Sequence, residues 1–377
     1  MHRRTFVGLM AGAAVCATGE FTTETRAESK PPDTARMLEV TRVPGVAVAG
    51  MKDAGPYQLF GGVERAGGPA VSHRTFFPAA SLSKPVFAWA VQDLAKQGKL
   101  DWNRPLQDYV ADLGLEGTAR KITALHVLTH STGLTNWRFQ PNVPLASAFE
   151  PGTRWQYSGE GFVLLQRVVE KIAGRSIAEY MRTAVLEPLG MTQSTYAWTP
   201  EIKNVAASGH DRQGALLERS LAFYEQRNYE TLQKSGLNPA SATYEQIAAA
   251  YQQNKQVFLP VALSPNVAGS LQTTIGDYAV FLAHVLKANV TRADDFKARV
   301  DVNRDIAWAA GWGVDRSFKT PSLFHWGDGP GFKNFCWVQP ARKSALVFFT
   351  NGDSGAALNA WLFRQLMNED PSAFYWI

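Results

Sequence analysis

The sequence predicts an α/β (α+β) fold in which one sheet is built from the N- and C-terminal segments, flanked by helices, with a mostly helical region inserted between them. Strand-like apolar runs stand near both ends of the chain, at residues 43–49, 57–63 and 344–350, while helical periodicity fills the middle. The 377 residues are enough for about two domains of ordinary size. With 45% hydrophobic and only 19% charged positions, punctuated by 31 Gly and 20 Pro, the composition excludes both a disordered chain and a coiled coil.

Residues 1–27 read as an export signal. Arg3 and Arg4 precede an apolar stretch from Val7 to Ala17, shorter than the ~20 residues that span a membrane. The order Arg3-Arg4-Thr5-Phe6-Val7 is similar to a twin-arginine signal, and a general secretory signal is the alternative. Cleavage after Ala17 or Ala27 suits either, and Cys16 lacks the preceding residues of a lipidation site. The mature protein is therefore expected in the periplasm or outside the cell, without a membrane span.

The Pro44-Gly45 turn starts the first strand, and Lys52-Asp53-Ala54-Gly55-Pro56 joins it to the second as a hairpin. From Ser81 to Leu100 apolar residues recur at helical spacing until Gly98 stops the pattern. Residues 105–200 are mostly helical in pattern, and 215–260 is a polar stretch rich in Gln, Tyr and Ala with a helix at Tyr244 to Gln253. Ser344 to Thr350 is a strand, and a last helix runs from Ala357 to Met367. The expected division is a sheet domain of residues 28–110 and 260–377, and a helical domain of residues 111–259 that includes the polar insertion at 215–259.

The net charge of +5 comes from 38 basic and 33 acidic residues scattered without a basic run, which argues against nucleic acid as a partner. Two cysteines, Cys16 and Cys336, make no disulfide framework, and Cys336 is a lone thiol once the signal is removed. Two apparent protease signatures, Gly352-Asp353-Ser354-Gly355 and Thr123-Ala124-Leu125-His126, sit in the wrong setting, because His126 lies in a helical pattern and Ser354 at a strand end. His126 and His130 are four apart, but no Glu follows His126, which favours core or capping roles over a metal site.

Ser81-Leu82-Ser83-Lys84 is the candidate catalytic motif, although about one Ser-x-x-Lys is expected by chance in a chain of this make-up. At the start of a helix, residues i and i+3 share a face, so Lys84 can reach the Ser81 hydroxyl. A desolvated lysine can take the proton of that poor nucleophile, and a backbone N–H at the helix start can face an oxyanion. Pro85 fits only the first helical turn, which places the turn near Ser81.

The segment from Thr75 to Lys84 resembles the active-site segment of the serine β-lactamase and penicillin-binding protein superfamily, in its class C β-lactamase, D,D-carboxypeptidase and esterase branch. Further similarities follow in order: Gly98-Lys99-Leu100-Asp101, Leu128-Thr129-His130-Ser131-Thr132-Gly133-Leu134, Tyr157-Ser158-Gly159, Glu187-Pro188-Leu189-Gly190-Met191 and His325-Trp326-Gly327. The resemblance implies an antiparallel β-lactamase/transpeptidase-like sheet. It also implies that Ser81 forms an acyl-enzyme, with Lys84 and Tyr157 sharing one proton, either serving as general base and Tyr157 passing the proton to the leaving group. His325, Trp326, Gly327, Asp328 and Gly159 would form the substrate and oxyanion side, with the oxyanion held by the N–H groups of Ser81 and Asp328. No metal or organic cofactor is implied, and the substrate would be a small ester, amide or peptide.

The sequence departs from that pattern in two places. Gly159 stands where the tyrosine motif often ends in Asn, leaving Glu160 or another residue to supply the amide's hydrogen bond. His325 and Trp326 replace the Lys and Thr that grip a carboxylate, which favours ester or amide cleavage over β-lactam cleavage. The alternative is a penicillin-recognising or substrate-binding protein that acylates without efficient turnover. The insertion at 215–260 is either a solvated helical decoration or a lid over Ser81 carrying Tyr224, Tyr229, Tyr244 or Tyr251.

Overall fold

The protein is described by a computed structural model over residues 33–140 and 143–376; the expected export signal lies outside the described residues. The first hairpin forms as expected from β1 (Gly45–Lys52) and β2 (Gly55–Gly62), and turns through Asp53 and Ala54 at φ 49° and 66°. The later part of the chain supplies β3 (Val300–Asp301), β4 (Ile306–Ala309), β5 (Trp312–Asp315), β6 (Ser322–Gly329), β7 (Phe332–Gln339) and β8 (Ser344–Thr350). They join in the order β2-β1-β8-β7-β6-β5-β4-β3, and each neighbouring pair is antiparallel. An early strand is thus zipped to a late one, with Val46 opposite Thr350.

Alternation along the strands divides two cores. One face of β1 and β8 presents Ala47, Ala49, Val347 and Phe349 to α2 (Ser83–Lys96), α3 (Gly159–Ala173) and α6 (Ile275–Thr291). The other presents Val46, Val48, Leu346 and Phe348 to α7 (Gly355–Met367), with α1 (Thr34–Thr41) at its margin. Because both faces are covered, β8 is buried at every position, which explains its unbroken apolar run from Ala345 to Phe349.

Residues 105–158 differ from the helical expectation. They hold 3-10 turns, two-residue strands and one short helix, Ala124–Leu128. Leu106, Leu113, Leu115 and Ile122 are buried from turns and loops, so their spacing serves the core without a helix. Gly114, Gly117 and Gly133 adopt positive φ between them, which breaks any longer helix.

The insertion folds as α4 (Leu221–Lys234) and α5 (Tyr244–Gln253). Leu232, Ala242, Ile247, Ala250 and Tyr251 pack onto Val163 of α3, with Trp137 at the edge of this cluster. That packing sets aside the solvated-decoration reading. Tyr229 packs its ring on Trp198 at 5.7 Å, Tyr244 lies under the Arg167 guanidinium at 4.7 Å, and Tyr251 bonds Asn228; of the tyrosines considered for a lid, Tyr224 is the one left exposed. Among the described residues, no helix is long and apolar enough to cross a membrane.

Candidate active site

Ser81 sits half-buried in a 3-10 turn, Ala80–Leu82, that feeds directly into α2. Ala80, immediately before it, has φ 49°, a left-handed backbone that costs a non-glycine residue ~1–3 kcal/mol. The surrounding bonds hold this conformation. The Ser83 hydroxyl donates to the Ala80 carbonyl at 2.6 Å and accepts from the Leu271 N–H at 3.0 Å. The Tyr196 and Tyr278 hydroxyls donate to the carbonyls of Ser83 and Leu82 at 2.8 and 2.9 Å. Pro85 is the third residue of α2, in its first turn as expected.

The Lys84 Nζ lies 2.8 Å from the Ser81 Oγ and donates to the Ala268 carbonyl at 2.7 Å. The side chain is buried, and burial holds its pKa well below the usual lysine range. In the neutral amine the lone pair is free to accept the Ser81 proton. Tyr157 presents its ring 4.9 Å from the same Nζ. Its hydroxyl is buried without a partner at hydrogen-bond distance. Burial pushes the phenol's pKa well up; the nearby Ser81 side chain opposes this, and the Asp328 charge adds to it. Burial thus favours the neutral form of both groups, lowering the amine's pKa and raising the phenol's.

Ser158 and His130 position Tyr157. Ser158 caps α3 by accepting from the Gly161 N–H at 3.1 Å, and its own N–H donates to the His130 Nδ1 at 3.0 Å. The His130 ring stacks on Tyr157 at 4.1 Å and 24°. This side chain is thus a support for the phenol, while the His126 Nδ1 accepts from the Thr123 N–H in a helix cap.

β6 supplies the opposite wall. It pairs with β7 up to Gly329 but with β5 only at Ser322–Phe324, so one edge is open from His325 onward. A Cβ at Gly327 would overlap the Ala79 carbonyl oxygen, so glycine is what lets the strand cross the nucleophile turn. His325 is buried and its Nδ1 donates to the Trp326 carbonyl at 2.8 Å, leaving the Nε2 as an acceptor without a protein partner. Burial, with Lys84 adding, pushes its pKa down to about 3, so the imidazole is neutral. The Asp328 carboxylate is exposed and pairs with Lys333 at 2.6 Å; Lys333 also lies 3.3 Å from Asp353.

Gly159, expected on the substrate side, presents neither donor nor side chain to Ser81. Its N–H donates to Asn136, and a Cβ would overlap three ring carbons of Trp137. The indole occupies the space an asparagine side chain would need. Glu160 does not substitute for it, because its carboxylate accepts from the Arg138 N–H at 2.9 Å and the guanidinium at 3.1 Å. Gly159→Ala is expected to lower stability by ~1–3 kcal/mol through overpacking, and Trp137→Ala in the same chain should recover most of that loss; thermal melts of the three variants check it.

The Ala268 carbonyl, Tyr196, Tyr278 and Trp137 carry no motif and escaped the sequence reading. Gln166 was the usable signal for the Ala268 loop. It is a polar residue on the buried face of α3, and it accepts from the Val267 N–H at 3.0 Å and donates to the Pro265 carbonyl at 3.2 Å.

The family model described as Beta-lactamase matches residues 33–366. Penicillin-binding protein 4 of Amycolatopsis lactamdurans is 23% identical over 87% of this chain and 86% of its own. Esterase EstB of Burkholderia gladioli is 29% identical over 40% of this chain and 45% of its own length. The chain spans about a third to a half of the first curated relatives it matches. Among solved structures, a class C beta lactamase from Rhodobacter sphaeroides superposes with a TM-score of 0.67 at 16% identity, covering 88% of this chain and 96% of that one.

Proposed function

Because the chain belongs to the beta-lactamase family of serine hydrolases, we propose that it is an exported hydrolase of neutral esters, with Ser81 as nucleophile and Lys84 as its base. The observation that carries this reading is the buried Lys84 amine 2.8 Å from the Ser81 hydroxyl. Ser81 attacks the ester carbonyl while its proton passes to Lys84, and the N–H groups of Ser81 and Asp328 receive the oxyanion. The Tyr157 phenol protonates the leaving alcohol and regains its proton from Lys84. Water then hydrolyses the acyl-enzyme by the reverse relay.

Charge selects the ester. A carboxylate-bearing β-lactam or peptide would meet a neutral His325, the bulk of Trp326 and the acidic Asp328, while Lys333 is already engaged by two aspartates. The likeness to an esterase supports the same choice. Incubation with p-nitrophenyl esters and with a fluorescent penicillin tests it: steady ester turnover is expected. A persistent penicillin adduct without ester turnover would identify a penicillin-recognising protein instead.

Tyr157→Phe should cost about 10²-fold or more in ester turnover, the usual size of a lost general acid. A fall below about threefold would mean that the leaving group takes its proton elsewhere. Export rests on the leader pattern at Arg3 and Arg4, and cell fractionation with N-terminal sequencing of the mature chain tests it.

A further inference from the structure

We propose that the short helix Ala373–Trp376 is part of the substrate site. Trp376, with Trp326 and Trp155, forms an aromatic slot that selects esters whose leaving alcohol carries an aryl group. The inference rests on the ester-hydrolase reading and adds the substrate class to it.

A run of ring contacts leads away from the nucleophile. The Lys84 Nζ faces the Tyr157 ring, which lies 5.3 Å from Trp326 at 33°. Trp326 in turn meets the edge of Trp376 at 5.4 Å and 87°. Trp155 closes the group, 5.0 Å from Trp376 and 6.3 Å from Tyr157. Offset and edge-to-face geometries of this kind are those in which a further aromatic ring is accommodated favourably.

The placement of Trp376 is fixed by the core on the α7 face of the sheet, to which Trp326 and Trp155 also belong. The Ala373 N–H donates to the buried Asp315 carboxylate at 2.9 Å, and Phe374 packs on Phe335 at 4.2 Å and Phe363 at 5.6 Å. So anchored, the helix brings Trp376 against Trp326, on the stretch of β6 that β5 leaves unpaired.

Burial separates support from contact surface. Trp308 and Phe324, beneath the group, are fully buried, whereas Tyr157, Trp155, Trp326 and Trp376 are each half-buried. Indole surface left in water beside a nucleophile is what a ligand ring would cover. The leaving alcohol takes its proton from Tyr157, so the group attached to that oxygen lies on Tyr157's side, where these tryptophans stand.

The test compares ethyl butyrate with 2-naphthylmethyl butyrate, whose alcohols are similarly poor leaving groups. The wild-type protein should prefer the naphthylmethyl ester in kcat/KM. Trp376→Ala should lower that preference about tenfold, a size one or two buried apolar contacts supply. Trp376→Phe should retain most of it, and Tyr375→Ala, in the same turn but 72% exposed, should leave it unchanged. If Trp376→Ala slowed both esters equally, Trp376 would be only a brace for Trp326 and the slot would be overturned. A second measurement does not depend on turnover: 2-naphthylmethanol should quench the tryptophan fluorescence of the Ser81→Ala protein, with a Kd about tenfold weaker when Trp376→Ala is added. Absence of all ester turnover in the wild type would defeat the hydrolase reading alone. An unchanged Kd would defeat the slot.

Discussion

Ser81→Ala is expected to eliminate ester turnover and covalent labelling while leaving the fold in place. Without the hydroxyl no acyl-enzyme can form, and what remains is direct attack by water in a site built to hold an acyl group. A loss of about 10⁴-fold or more is the scale at which removal of a catalytic serine is felt in other hydrolases. The stability cost is small, about 1 kcal/mol or less, because one hydrogen bond to Lys84 is lost at a half-buried position. Intact-mass spectrometry after incubation with an ester or a penicillin reads the adduct, and a melt reads the fold. Full hydrolytic activity in this variant would overturn the assignment of the nucleophile.

Lys84→Met is expected to destroy activity by about 10³-fold, within the range for loss of a general base, yet to stabilise the protein by about 1–2 kcal/mol. The native state buries the amine and holds its pKa well below its usual value, whereas in the unfolded chain the amine is protonated at neutral pH. The unfolded state therefore binds more protons, so stability rises with pH up to the unfolded pKa, and at neutral pH the lysine is a burden on folding. Methionine fills a similar volume without that burden. The same shift sets the rate profile: activity is lost as pH falls through the lowered Lys84 pKa, while the raised Tyr157 pKa keeps the phenol protonated through neutrality. A rate that climbs only above about pH 9, near an ordinary lysine pKa, would contradict a neutral amine in the resting site.

Local features were legible in the sequence because local geometry decides them. Ser81 and Lys84 meet across one turn, and the hairpin around Asp53, the strand at Ser344–Thr350 and the helix at Tyr244–Gln253 lie where pattern and punctuation put them. Tyr157 and His325 were legible only through their order among motifs, since no spacing brings α3 and β6 together. The neutrality of His325 was legible from the residue type, whereas the protonation of Tyr157 was not. A phenol beside an amine invites ionisation on paper, but burial pushes the phenol's pKa up instead. The absent asparagine at position 159 looked like a missing contact, and it is Trp137, twenty-odd residues upstream, that explains it. Residues 105–158 misled because an apolar residue can be buried from a turn as well as from a helix.

The pairing of Val46 with Thr350 also dictates when during folding the site comes into being. Ser81 and Lys84 can approach as soon as one turn of helix forms, an event of microseconds or less. β6, which carries His325 and Asp328, is fastened to the early hairpin only through β7 and β8, so its docking awaits closure of a loop of some three hundred residues. A half-synthesised chain thus has Ser81 and Lys84 close in sequence but lacks both β6 and the bonds from Tyr196, Ala268, Leu271 and Tyr278 that hold their turn. On the proposed mechanism the capacity to be acylated is expected to arrive last, so that a covalent probe of Ser81 would report completed folding.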